Sequence, residues 1–267
     1  MTAVAAERTA TAPRKTAARW PGSQARLHVL FAAIILVTWE ITSFFVGDLI
    51  LPSATSVAAA LFEITISGVL PIALGESILL LFLGISAALI IGFFFGILIG
   101  RSRIAQWTLS PYFSALFVTP TVALVPLVLV WFGFGLSGRV LVVILAAVVP
   151  ILLSVAGSLR DDPGELVEVA KSFGVHGEIP LLIHVRLRAA LPVILSGLRL
   201  AVGRAVVGMA VAETYLRLGG IGALINSYGA LFQTDFVFAT ILPLSLLGIV
   251  LTKLVGLVER HFQGWKS

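Results

Sequence analysis

Apolar residues dominate six stretches of the chain, near 28–46, 74–100, 113–134, 140–158, 190–214 and 236–258. Each is close to the roughly 20 residues that a helix needs to cross the hydrocarbon of a bilayer. Inside hydrocarbon every backbone N–H and C=O must be bonded within the protein, so long apolar runs predict helices and not open sheet. The pattern predicts an all-α integral membrane protein with a bundle of six transmembrane helices. Residues 49–72 (LILPSATSVAAALFEITISGVLPI) interrupt it. They contain Pro52-Ser53 near their start and Glu63 near their centre, which fits an amphipathic helix lying in the interface and not a seventh crossing.

Residues 1–26 (MTAVAAERTATAPRKTAARWPGSQAR) are rich in Ala, Thr and Arg and lack apolar periodicity. Burial cannot offset the entropy of ordering such a segment, so a disordered basic tail is predicted. The apolar run that follows is too long for a signal-peptide core and has no clear small-residue cleavage site, so the tail is expected to be retained. Residues 27–267 then form one membrane domain.

Two finer patterns lie within the spans. Small residues recur every fourth position at Gly84, Ala88, Gly92, Gly96 and Gly100, which opens a groove along one helix face where another helix packs closely. Such seams are common in helical membrane proteins and locate a contact, not an activity. Pro120, Pro126, Pro150 and Pro243 each remove one helical hydrogen bond and tend to kink the helix, but proline is ordinarily enriched in membrane helices.

Composition agrees with the pattern. Of 267 residues, 59% are hydrophobic and 12% charged, the mean hydropathy is +1.09, and a soluble domain carries roughly a quarter charged residues. The net charge of +5 comes from residues scattered between apolar segments, so no basic face for nucleic acid is predicted. The chain has no cysteine, which excludes disulfides and thiolate metal sites. His28, His176, His184 and His261 show no metal spacing, and neither metal nor cofactor is expected.

Lys and Arg collect on the cytoplasmic side of membrane proteins. With the N-terminus inside, the inner segments hold Arg8, Arg14, Lys15, Arg19, Arg26, Arg101, Arg103, Arg160, Lys171, Arg186, Arg188, Arg260 and Lys266, whereas the outer loops hold only Arg139 and Arg217. Both termini are thus expected in the cytoplasm. A crossing at 49–72 would place Arg101 and Arg103 outside.

Charges at membrane depth cost roughly 2.5–3.5 kcal/mol on insertion scales and are functional candidates by default. Glu40, Glu76, Arg199, Arg204 and Glu213 qualify. Arg199 lies roughly 14 Å into its helix and is within reach of the cytoplasmic interface by snorkelling. Arg204 lies near the midplane, where it either pairs with a carboxylate on another helix or faces an aqueous path and meets an anionic cargo. Glu213, beside Thr214 and a glycine-rich turn, is a candidate to cap or brace an outer gate. A structural ion pair remains an alternative for Arg204 and Glu213.

The most informative stretch is the loop 160–188 and its continuation to Pro192. Asp162 as N-cap, Pro163 at the first helical position and Glu165 as a capping-box carboxylate predict a helix start, and Gly174 predicts its left-handed end. A second short helix is expected from about His176 to Glu178, running into the fifth span. Two short helices joined by a glycine turn would form a rigid protrusion.

Glu168-Val169-Ala170-Lys171-Ser172-Phe173-Gly174, followed by Leu187 and then Leu191-Pro192, resembles the EAA loop of ABC importer permeases. Val169 replaces the middle alanine, the interval from Gly174 to Leu187 is one residue longer than usual, and Arg188 stands where proline is expected. Further matches cover roughly residues 28–265: Trp39-Glu40, Leu51-Pro52-Ser53, Pro126 through Trp131-Phe132-Gly133, Pro150-Ile151-Leu152, Gly197-Leu198-Arg199, Ala212-Glu213 and Gly219-Gly220-Ile221-Gly222. They look like the nitrate, sulfonate and taurine branch of the binding-protein-dependent inner-membrane permeases.

The resemblance implies the type I importer fold, with a coupling helix that sits in a groove of a separate ATPase and conveys its closure to the membrane. It marks Glu165, Glu168, Ala170, Lys171, Gly174 and His176 as the coupling loop, and Arg204, Glu213 and Arg199 as candidates for the translocation pathway. The implied partners are two ATPase subunits, a second permease copy or homologue, an extracytoplasmic solute-binding protein and the lipid bilayer of a bacterial inner membrane. The implied cargo is a small anion or sulfonate-like solute. No Gly-x-x-x-x-Gly-Lys-Ser/Thr loop occurs in the chain, so ATP is expected to bind the partner and the chain is not expected to be an enzyme. The alternative is a secondary transporter driven by an ion gradient, which calls for inverted repeats and intramembrane ion ligands; neither is evident in the sequence.

Overall fold

The computed structural model describes residues 21–160, 164–216 and 219–263. The basic tail and the expected caps Asp162 and Pro163 lie outside them, apart from the last residues before Leu27. The described chain is helical throughout its elements: α1 (Pro21–Val46), α2 (Ala54–Ile66), α3 (Val69–Arg101), α4 (Arg103–Val118), α5 (Thr121–Phe132), α6 (Leu136–Arg160), α7 (Gly164–Ser172), α8 (Glu178–Leu181), a π-turn over Leu182–Arg186, α9 (Leu187–Leu216), α10 (Ile221–Ala230) and α11 (Thr234–Gln263).

The glycine groove of α3 receives α6. A Cβ added at Gly92 would fall 2.8 Å from Ile151 Cγ2, one at Gly96 2.6 Å from Val155 Cβ, and one at Gly100 2.9 Å from Leu159 Cβ. The sequence offset is the same in each pair, so α3 and α6 run parallel. In contrast, Gly197 meets Pro150 and Gly208 meets Ala146, which makes α9 antiparallel to α6. Gly248 meets Val206 and Gly256 meets Arg199, so α11 is antiparallel to α9. Leu80, Ala88, Val143, Ile151, Val155 and Met209 are buried along these seams.

The stretch 113–134, expected as one span, is two helices. The axes of α4 and α5 meet at 106°. Pro120 has no N–H to continue α4, and a residue before proline is pushed out of the helical region; Thr119 accordingly has ψ 125 and Pro120 ψ 117. The parallel course of α3 and α6 requires the chain to return to its starting side between them, so the bent pair is one broken crossing and not a re-entrant hairpin. Five long apolar helices and this pair make up six crossings by length and composition.

This layout gathers Arg101, Arg103, Arg160, Arg186, Arg188 and Arg260 at one end of the bundle, here the arginine end. The opposite end holds α2 and α10. Glu40 of α1 accepts the N–H of Ala54 at 2.7 Å and Trp39 donates to Pro52 O at 2.9 Å, which ties α1 to the start of α2. The helix α10 lies in a stretch where only an outer loop was expected.

Candidate functional site

At the arginine end, α7 and the turn after it protrude. Gly174 at φ +83 closes α7: its N–H bonds Lys171 O at 3.0 Å and the Val175 N–H bonds Ala170 O at 3.0 Å, the paired bonds of a Schellman motif. Glu165, Glu168, Lys171, Gly174 and His176 are exposed, Ala170 is half-buried, and Val167 points inward. A short helix ordinarily hides its apolar stripe. Here Leu166, Val169 and Phe173, spaced three and four residues apart, turn outward, and Phe173 is 85% exposed.

The protrusion is fastened to the bundle at its second leg. Glu178 Oε2 lies 2.7 Å from Arg101 Nη2 at the end of α3 and 3.3 Å from Arg186 Nη1. The π-turn follows, with Leu187 N–H bonding back to Leu182 O. A turn closed five residues back holds one residue more than an α-turn, and it leads the chain from α8 into α9.

Halfway along the bundle, at the α4/α5 break, Arg204 projects from α9. It stands between the contacts of Gly197 with Pro150 and Gly208 with Ala146, level with the middle of α6. Its guanidinium carbon sits 4.2 Å over the Phe117 ring and its Nη1 is 3.4 Å from Phe117 O, so it stabilises the carbonyl end that the break exposes. A cavity of about 270 Å³ opens beside it, lined also by Thr119, Thr121 and Val142. No carboxylate pairs with Arg204 among the described residues.

Arg199 does not simply snorkel. Its Nη2 is 2.6 Å from Glu259 Oε2 of α11, and Glu259 is 6% exposed.

The far end carries a buried polar knot. Ser77 Oγ of α3 donates to Glu213 of α9 at 2.8 Å and accepts from the Ile221 N–H at 2.9 Å. Glu213 Oε2 also accepts the Gly222 N–H at 3.0 Å, and Glu76 Oε2 accepts the Gly220 N–H at 2.7 Å. These three amides are the opening of α10, whose first N–H groups have no intrahelical partner. Two glutamates and a serine thus staple α10 to α3 and α9. Ser77 and Glu213 are fully buried, which places Glu213 in a brace and not in the wall of the cavity beside Arg204.

Two of these features lie outside the sequence-predicted sites: Glu178 fastens the loop, and the outward stripe of Leu166, Val169 and Phe173 is detectable from its 166, 169, 173 spacing.

Comparison with known proteins places these features in a family. A profile described as "Binding-protein-dependent transport system inner membrane component" matches residues 88–264. The chain is 32% identical over 90% of its length to the putative aliphatic sulfonates transport permease protein SsuC of Bacillus subtilis, covering 87% of that protein. It is 36% identical over 62% of its length to the riboflavin transport system permease protein RibX of Chloroflexus aurantiacus, spanning 61% of the latter. Among solved structures, a chain of the MetNI methionine ABC transporter in an inward-facing form superposes with a TM-score of 0.55 at 18% identity, covering 71% of this chain and 96% of that one; it shares the fold.

Proposed function

The chain belongs to the binding-protein-dependent transport system inner membrane components and is a permease subunit of an ATP-binding-cassette importer, and on that premise we propose how it is driven and what it carries. The family works with an ATPase and a solute-binding protein. In our reading ATP binds and is hydrolysed on the partner only, this chain needs no cofactor, and a second copy of it completes the pathway against two ATPase subunits. The arginine end faces the cytoplasm, with both termini, because Lys and Arg collect there.

The outward stripe of Leu166, Val169 and Phe173 carries the coupling proposal. An amphipathic helix that presents its apolar face to water at a polar end is built to lie in a groove of another protein. The Schellman turn at Gly174 and the Glu178 clamp to Arg101 and Arg186 make the protrusion rigid, so closure of the ATPase pair moves α7 and, through α3 and α9, the bundle. Glu165, Glu168, Lys171 and His176 form the polar rim of that contact.

For cargo we propose a small organic anion, sulfonate-like, with Arg204 as its mid-membrane contact. Support comes from the sulfonate relative that the chain covers almost end to end, and from a cation that stands beside a cavity without a carboxylate. Arg199 is assigned to the inner part of the pathway and Glu213 to bracing the outer end. ATP-dependent uptake of aliphatic sulfonates by vesicles holding the reconstituted complex tests this reading: saturable uptake that neutral solutes do not inhibit supports it, and equal uptake of neutral analogues contradicts the cargo class.

A further inference from the structure

Two cavities follow one another between α9 and α11. One of about 570 Å³ runs past Gly203, Val207, Ser245 and Gly248 to Thr252 and Lys253, and the next, of about 370 Å³, shares Thr252 and Lys253 and continues past Arg199 to Arg260. The first also shares Val207 and Val211 with the cavity beside Arg204. The three cavities therefore adjoin one another in series from the bundle's middle to the arginine end.

The groove is charged with one sign. Lys253, Arg199 and Arg260 line it, and no carboxylate does. Glu259, buried behind, holds Arg199 at 2.6 Å; Lys253 and Arg260 form no ion pair among the described residues. The spacing is built in: Lys253, Gly256 and Arg260 share one face of α11, and the Arg199 guanidinium lies on Gly256, where an added Cβ would meet Cζ at 3.1 Å. The cations thus succeed one another along two turns of helix. A lysine inside an apolar span costs roughly 2.5–3.5 kcal/mol on insertion scales, and such residues ordinarily face water-filled cavities.

We infer that the α9–α11 groove is the inward leg of the transport path, and that Lys253 with Arg199 and Arg260 draws an anionic headgroup, sulfonate or carboxylate, from Arg204 toward the cytoplasm. The inference rests on the reading of this chain as an anion importer. A one-sign groove with low-dielectric walls raises the local concentration of the opposite ion by 10-fold or more, and three spaced cations let an anion pass between sites without being held at one.

The absence of cysteine permits a direct test. A single Thr252→Cys in permease held in lipid nanodiscs, with and without the ATPase, is labelled with two small methanethiosulfonates, one carrying a sulfonate and one a trimethylammonium group, each rate divided by its rate with free cysteine. The expected result is about a 10-fold preference for the sulfonate reagent, lost with Lys253→Met and kept with Lys253→Arg, the latter showing that the fold tolerates substitution there. Equal normalised rates, a preference indifferent to Lys253→Met, or a cysteine that neither reagent reaches because lipid or a second copy covers the groove would each overturn the inference. ATP-driven uptake is measured separately on Thr252→Cys alone, so an importer that fails to transport is told apart from a groove that fails to select anions.

Discussion

Ser77 of α3 and Glu213 of α9 stand 136 positions apart in the chain and meet at 2.8 Å, both fully buried, around the first amides of α10. A carboxylate is tolerated in such a place because donors surround it: Ser77 Oγ and the Gly222 N–H on Glu213, with Ser77 in turn taking the Ile221 N–H. Removing one member leaves the others buried and unsatisfied. Ser77→Ala is expected to cost about 1–3 kcal/mol, read as a lower Tm of the permease in detergent, and Glu213→Ala more than that. An unchanged Tm in both would remove the brace from the account.

The α3–α6 seam is expected to refuse even one methyl group. Gly96→Ala would place Cβ 2.6 Å from Val155 Cβ and 3.0 Å from Leu152 O, where backbone and a β-branched side chain cannot yield; overpacking of this kind costs about 1–3 kcal/mol. Gly75, with open space around it, serves as the control: Gly75→Ala on the same helix should leave Tm unchanged.

Much of this architecture is legible in the sequence. The spans and the small-residue groove of α3 follow from apolar length and from Gly or Ala every fourth residue, because both are local patterns; that α6 fills the groove, and runs parallel to α3, is seen only in the structure. The α4/α5 break is not, since Pro120 looks like any other proline of a membrane helix; only the pre-proline geometry at Thr119 and the fixed course of α3 and α6 distinguish a sharp bend from a gentle kink. Helix α10 is hidden because ten residues after a glycine-rich turn carry a weak signal, and its start is held by Glu76 and Ser77, far away in sequence. The protruding loop is legible as a motif and its apolar stripe from the 166, 169, 173 spacing, but the outward turn of that stripe and the Glu178 clamp emerge only once α3 and the π-turn are placed beside it. Arg199 and Arg204 show the same limit: their partners, Glu259 and the Phe117 carbonyl, are contacts between distant segments.

Arg204 lies over Phe117 at the bend, and its charge is expected to matter to cargo more than to folding. Arg204→Lys keeps the charge and loses the planar stacking; Arg204→Gln loses both. In reconstituted vesicles Arg204→Gln should raise the apparent KM for an aliphatic sulfonate by about 10-fold or more, as expected for one lost charge contact, while ATP hydrolysis by the complex persists. Loss of hydrolysis together with uptake would assign Arg204 to the scaffold of the α4 end instead.

Phe173, 85% exposed on α7, touches little of its own chain. Phe173→Ala should therefore leave the permease Tm unchanged yet weaken binding of the ATPase by about 2–4 kcal/mol, the scale of an aromatic hot spot, measured as the ATPase retained on immobilised permease in nanodiscs. Retention equal to wild type would show that the stripe is not the docking face.

The most direct test of the central claim, that a separate ATPase drives this bundle through residues 164–174, is simultaneous measurement of ATP hydrolysis and solute uptake by the co-purified complex. Wild type is compared with Glu168→Ala, whose side chain is exposed, and with Gly174→Leu, which forces a residue with a Cβ into φ +83 at a local cost of about 1–2 kcal/mol. The wild-type complex is expected to assemble, and at least one substitution to release the ATPase or to leave hydrolysis running without uptake. Purified permease that binds no ATPase and transports solute alone down an ion gradient would contradict it.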